Sequence, residues 1–90
     1  MEPPSPARLF ATLAGAALFI YGIAGFFADS SFAAPGSLGE ALGLFSVNGW
    51  ANLFHILTGA LGLLLAGFAA RRYAVLLVAV YAGVALLGAL

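Results

Sequence analysis

Three long apolar runs divide the chain. The first, LFATLAGAALFIYGIAGFFA at residues 9–28, holds 20 residues without a charge. At 1.5 Å rise per residue, a helix of that length covers about 30 Å, the hydrocarbon core of a bilayer. A second uncharged run covers residues 49–70 and ends at Arg71 and Arg72, and a third covers residues 73–90. The strands of a transmembrane barrel would instead read as alternating segments of about ten residues separated by turn signals. The pattern therefore predicts an all-α fold, an integral membrane bundle of three transmembrane helices. SFAA at residues 31–34 has the small residues of a signal-peptide cleavage region. The first run is longer than the 7–15 residues of a signal-peptide core, however, and only Arg8 precedes it, so it reads as a span.

The segments between the runs carry their own patterns. MEPPSP places three prolines in six residues, and residues 1–8 are expected to form a flexible leader. In the connection 29–48, Ser37 and Glu40 have the S-x-x-E spacing of a capping box. Leu38, Ala41, Leu42 and Phe45 follow at i, i+3, i+4 and i+7, which predicts a short amphipathic helix over 37–45 lying at the membrane surface, with Pro35-Gly36 as the turn before it. The rest, residues 9–90, reads as a single transmembrane domain.

Composition agrees with the bilayer as solvent. Hydrophobic residues make up 64% of the chain and charged residues 7%, against about 25% in a soluble domain. There is no cysteine to staple a small soluble core. Net charge is zero and no basic run occurs, so neither a nucleic-acid partner nor a polybasic lipid patch is expected. Three crossings put Arg8, Arg71 and Arg72 on one side and Asp29 and Glu40 on the other. The positive-inside rule then places the N-terminus in and the C-terminus out.

Two helix faces stand out. Gly15, Gly22 and Gly25 fall near one face of the first span. On the second, Asn48, Asn52, His55, Gly59, Gly62 and Ala66 form a stripe that grades from polar to small. Glycine is common in transmembrane helices in any case, but its frequency does not explain this phase. Both stripes are expected to pack against protein, where small residues allow close backbone approach. No G-x-x-x-G of the second span falls in its stripe, so the right-handed dimer motif is not invoked.

The ordered set Gly43, Leu44, Phe45, Val47 and Asn48, then Asn52, His55, Gly59, Gly62 and Leu63, then Arg72 and Tyr73, then Tyr81 and Gly88, resembles a family of small bacterial multipass membrane proteins known only as a domain of unknown function. The resemblance covers roughly the last 50 residues, and the first span is similar in character alone. Members tend to carry a fourth hydrophobic segment. Three spans here imply a bundle completed by other chains, either other membrane proteins or copies of itself. The resemblance implies a bacterial cytoplasmic (inner) membrane as the location, and no reaction and no ligand.

Candidate chemistry is concentrated in the polar stripe. Asn48 suits the N-cap of the second span. Asn52 and His55 lie about 6 and 10 Å deeper along the axis, in the outer part of the bilayer. His55 is the chain's single histidine. It either finds a structural partner, such as a loop carbonyl, Asn52 or Thr58, or acts as a ligand. Imidazole ligates haem iron and, by similar chemistry, chlorophyll magnesium. Ala51 and Gly59, four residues before and after His55, would give such a ring clearance. Zinc is disfavoured by one histidine and no cysteine.

No serine has a nucleophile context, and the acidic residues lie outside the spans, so neither an enzyme nor a proton or ion relay is expected. An oligomeric pore or transporter component stays open as an alternative. The resulting expectation is a non-enzymatic accessory or scaffold subunit of a larger membrane assembly, without a cofactor. A tetrapyrrole-binding subunit is the alternative that His55 raises.

Overall fold

A computed structural model describes residues 5–89. All regular structure among them is helical: α1 (Pro6–Ala28), α2 (Leu38–Leu42), α3 (Gly49–Leu65) and α4 (Ala70–Ala89). Residues 1–4 of the expected leader and Leu90 of the expected third span lie outside the described residues, as do the side-chain surroundings of Leu38 and Gly88. Pro6–Ala28 and Ala70–Leu87 are long and apolar enough to cross a membrane, while α3 is an apolar helix of 17 residues, about 25 Å long.

The boundaries differ from the sequence expectations for identifiable reasons. α1 starts within the expected leader, at Pro6. Ser5 caps it, its Oγ accepting from the Arg8 amide at 3.2 Å. Proline at the first helical position is already set for helix and lacks only an N–H that would go unpaired there. α3 stops at Leu65 rather than running to residue 70, and the reversal uses residues 66–69. Arg71 and Arg72 therefore lie in the first turn of α4, not in the connection. Arg8 reaches across to this reversal, its Nε donating to the Ala66 carbonyl at 3.2 Å. That bond serves one of the carbonyls a helix end leaves without an intrahelical partner.

α2 covers only part of the expected 37–45 helix. Ser37 Oγ accepts from the Glu40 amide at 3.0 Å, but the Glu40 carboxylate accepts from Gly36 at 2.9 Å rather than completing the box on Ser37. The chain turns at Gly43, whose carbonyl accepts from Ser46 at 3.0 Å. The expected apolar stripe is split by this turn: Ala41 is buried and Phe45 is 88% exposed.

α1 and α3 pack antiparallel, with Gly15 against Gly59 and Gly62, and Gly22 and Gly25 against Asn52. α4 joins through Tyr73, which fills the space over Gly62 and clusters with Ala11 and Ala70. With Cα extents of 48 × 28 × 14 Å the molecule is flat. Its interior inverts the soluble pattern: the largest fully buried side chains are His55 and Asn52, whereas Phe27 and Phe68 are 89% and 80% exposed. The buried apolar positions are mostly alanine, which lets helices approach until backbone meets backbone.

Gly59 is the position where that approach is least forgiving. A methyl group there would meet the backbone of Phe19 and the Gly15 carbonyl, neither of which can swing aside. Gly59→Val is expected to destabilise the fold by at least about 1–3 kcal/mol, read as a lowered unfolding midpoint in mild detergent. Gly83→Ala, with nothing within 4 Å of the added carbon, serves as the control and should leave the midpoint unchanged. Equal midpoints for the two variants would contradict the packing.

Candidate functional site

The first two turns of α3 carry a set of donors, and the connection 29–48 supplies their acceptors. Asn48 is the N-cap: Oδ1 accepts from the Ala51 amide at 2.9 Å, and Nδ2 donates to the Glu40 carbonyl at 2.7 Å. One turn deeper, Asn52 is 1% exposed and its Nδ2 donates to the Asp29 carbonyl at 2.7 Å. Asp29 caps the C-terminus of α1, its own amide donating to Gly25 at 2.8 Å. Asn52 thus joins the end of α1 to the start of α3, and the close contact of its side chain with Gly25 requires a glycine there. The Gly49 amide donates to Ser31 at 2.7 Å and the Trp50 indole to Ala33 at 3.1 Å.

His55 completes the set. It is fully buried, and its Nε2 lies 3.2 Å from the Gly43 carbonyl. A carbonyl only accepts, so Nε2 carries the hydrogen, and in a neutral ring Nδ1 is then a bare acceptor. Nδ1 is buried without a partner among the described residues. Around the imidazole lie Tyr21, with ring centroids 5.1 Å apart, and Tyr81, nearly parallel at 6.1 Å. Phe54 stands beside both His55 and Tyr81. The side chain is held in one orientation by a single hydrogen bond and an aromatic surround.

Below this level Thr58 connects α3 to α4. Its hydroxyl donates to the Phe54 carbonyl at 2.9 Å, which leaves Oγ1 to accept from the Tyr81 hydroxyl, also at 2.9 Å. The Tyr73 hydroxyl donates to the Thr58 carbonyl at 2.8 Å. Sequence reasoning offered Thr58 as a partner for the imidazole, but its side chain serves α4 instead. Tyr73 and Tyr81 entered only through the family resemblance. The signal that could have found their role is that tyrosine within an apolar helix needs a partner for its hydroxyl, and Thr58 is a polar group of the facing helix.

The structure brings Asn48, Asn52 and His55 together on the connection and sets Gly15, Gly22, Gly25 and Gly59 in the α1–α3 contact, with Gly62 between α1 and α4. The fit of a tetrapyrrole beside His55 can be tested on the same geometry. Gly59 faces the α1 backbone, Ala51 is fully buried, Nε2 is engaged by Gly43, and Nδ1 is buried in a ring flanked by Tyr21 and Tyr81. The clearance expected at Ala51 and Gly59 is filled by the protein itself, so the residues present do not fit the group. Among the described residues, no three His, Cys, Asp or Glu side chains come together to hold a metal ion.

Comparison with curated proteins and with solved structures finds no match. The model of one protein family, a domain of unknown function designated DUF4383, matches residues 8–90. That match reaches well beyond the last 50 residues on which the sequence resemblance rests and takes in α1 from Arg8 onward. With its glycine-faced α1 and the polar stripe of α3 inside the matched region, the chain belongs to the DUF4383 family.

Proposed function

We propose that this protein is a three-span, non-enzymatic accessory or scaffold subunit of a larger bacterial inner-membrane assembly, with its N-terminus in the cytoplasm. The observation that carries the membrane reading is the inverted interior. A chain in water would bury Phe27 and Phe68 and expose Asn52 and His55; here the apolar side chains face outward and the polar ones inward. α3 is short for a span, but its polar head is clasped by the connection, so the pair together cover the depth that the helix alone does not. The arginines lie at the end of the molecule where Arg8 meets Ala66, and Asp29 and Glu40 lie at the other. The flat shape and the exposed apolar faces of α4, which include Val75, Val78 and Leu86, support packing against further membrane chains. The clasp gives the polar stripe a structural role: it holds the connection in one shape as a fixed outer surface.

Single cysteines test the topology. Ala34→Cys in the connection and Gly67→Cys in the reversal both lie at exposed positions. In intact cells a membrane-impermeant maleimide should label residue 34 and reach residue 67 only after permeabilisation. Labelling of both, or of neither, would mean that α3 does not cross; the opposite pattern would invert the orientation.

The assembly claim is checked by cross-linking in native membranes followed by sizing in mild detergent. A species larger than the 9.1 kDa chain is expected, and a free monomer throughout would count against it.

For His55, replacement by Leu removes one of the two donors to the Gly43 carbonyl and leaves it the Ser46 amide alone. The cost is expected to be about 0.5–1.5 kcal/mol, the net worth of one hydrogen bond, toward the lower end in a membrane. It should appear as faster amide hydrogen exchange across residues 40–46, while His55→Gln, which keeps an N–H donor, retains part of the protection. The purified protein should show no Soret or far-red band. Such a band, lost in His55→Leu with helix content intact, would replace the structural role with a ligand role.

A further inference from the structure

The first turn of α4 borders an open groove of roughly 780 Å³, lined by Phe68, Arg71, Arg72, Val75 and Leu76 together with Ala69 and Ala70. Neither guanidinium has a hydrogen-bond or ion-pair partner among the described residues. No acidic side chain described lies at this end, because Asp29 and Glu40 bond within the connection at the opposite end. Arg8, at the same end as the groove, adds a third positive charge. The groove is also graded along the helix axis. Val75 and Leu76, largely exposed, lie about 6 Å beyond the arginines toward the middle of α4. Phe68, 80% exposed, lines the same groove.

Resting on the three-span reading above, we infer that this groove binds an anionic phospholipid. Its phosphate pairs with Arg71 and Arg72, and an acyl chain runs along Val75 and Leu76. Positive charge at the rim and apolar surface one turn deeper complement an amphiphilic anion in both charge and order, and guanidinium is suited to paired contacts with phosphate oxygens. A second copy does not complement the groove. A two-fold contact across it would set Arg71 and Arg72 against the same residues of the other copy. Of the acidic residues described, copies inserted in the same orientation carry both, Asp29 and Glu40, across the bilayer, out of reach. Free phosphate would satisfy the arginines and leave the apolar wall uncovered.

The test is native mass spectrometry of the full chain in mild detergent, titrated with dioleoyl phosphatidylglycerol, dioleoyl phosphatidylcholine and inorganic phosphate. Phosphatidylglycerol should be retained at least about tenfold more strongly than phosphatidylcholine, and millimolar phosphate should not displace it. Each arginine near an anionic headgroup is worth about five-fold in affinity. R71Q/R72Q should therefore weaken phosphatidylglycerol binding roughly twenty-five-fold, with helix content unchanged by circular dichroism. R71K/R72K keeps the charge and should keep most of the binding, which separates loss of charge from loss of fold. Equal retention of the two lipids, or full retention by a folded R71Q/R72Q, would overturn the inference. Displacement by inorganic phosphate, or a lipid-free dimer disrupted by the same variant, would overturn it as well. Failure of the three-span reading would be seen separately, as absence of the chain from the membrane fraction or labelling of residues 34 and 67 from one side.

Discussion

Backbone carbonyls in apolar surroundings must find donors, and in this protein the head of α3 provides them for the connection 29–48. A carbonyl left unpaired in an apolar medium costs more than most single contacts return. The connection 29–48 leaves α1, forms one short helix and returns, and the carbonyls of Asp29, Ser31, Ala33, Glu40 and Gly43 along it accept from the head of α3. The path of the connection is therefore set by the spacing of Asn48, Asn52 and His55 on one helix face. The same spacing fixes how α1 ends, since the Asp29 carbonyl held by Asn52 belongs to the residue that caps it.

Close helix contact is the second requirement, and the clasp depends on it. Asn52 can reach Asp29 only because Gly25 and Gly22 let α1 lie against it, and the α1 backbone sits equally close at Gly59. On the proposed membrane reading, burial of large apolar side chains gives little net drive between helices, and small residues with satisfied polar groups take that role. α4 is held in a different manner, by Tyr73 over Gly62 and by the two tyrosine hydroxyls on Thr58. Beyond Arg71 and Arg72 much of its remaining surface is apolar and exposed, as at Val75, Val78 and Leu86, which supports the reading of the chain as a subunit that packs against others.

How much of this was legible in the sequence depended on whether a feature is periodic. The faces carrying Gly15, Gly22 and Gly25, and Asn48, Asn52 and His55, could be read because helical spacing places them in phase. The cap at Asn48 was readable because asparagine before an apolar run has a local use for its side chain. The acceptors were not readable. They are backbone carbonyls 8, 12 and 23 residues away, and a carbonyl has no sequence signature. The reversal at 66–69 was missed because Ala, Gly, Phe and Ala break no hydropathy pattern, and Arg71 and Arg72 drew the boundary to themselves. The groove beside them depends on the angle at which α4 leaves the reversal, which hydropathy does not encode.

The clasp at His55 can be observed directly, because the chain has one histidine. Solid-state NMR of the protein in bilayers, with 15N-histidine and 13C-carbonyl glycine, reports the state of each ring nitrogen and its nearest glycine carbonyl. The account predicts a hydrogen on Nε2, a bare Nδ1, and a short dipolar contact from Nε2 to one glycine carbonyl that vanishes when Gly43→Ala removes the label. A hydrogen on Nδ1 with a bare Nε2, or a ring without that Gly43 contact, would contradict it.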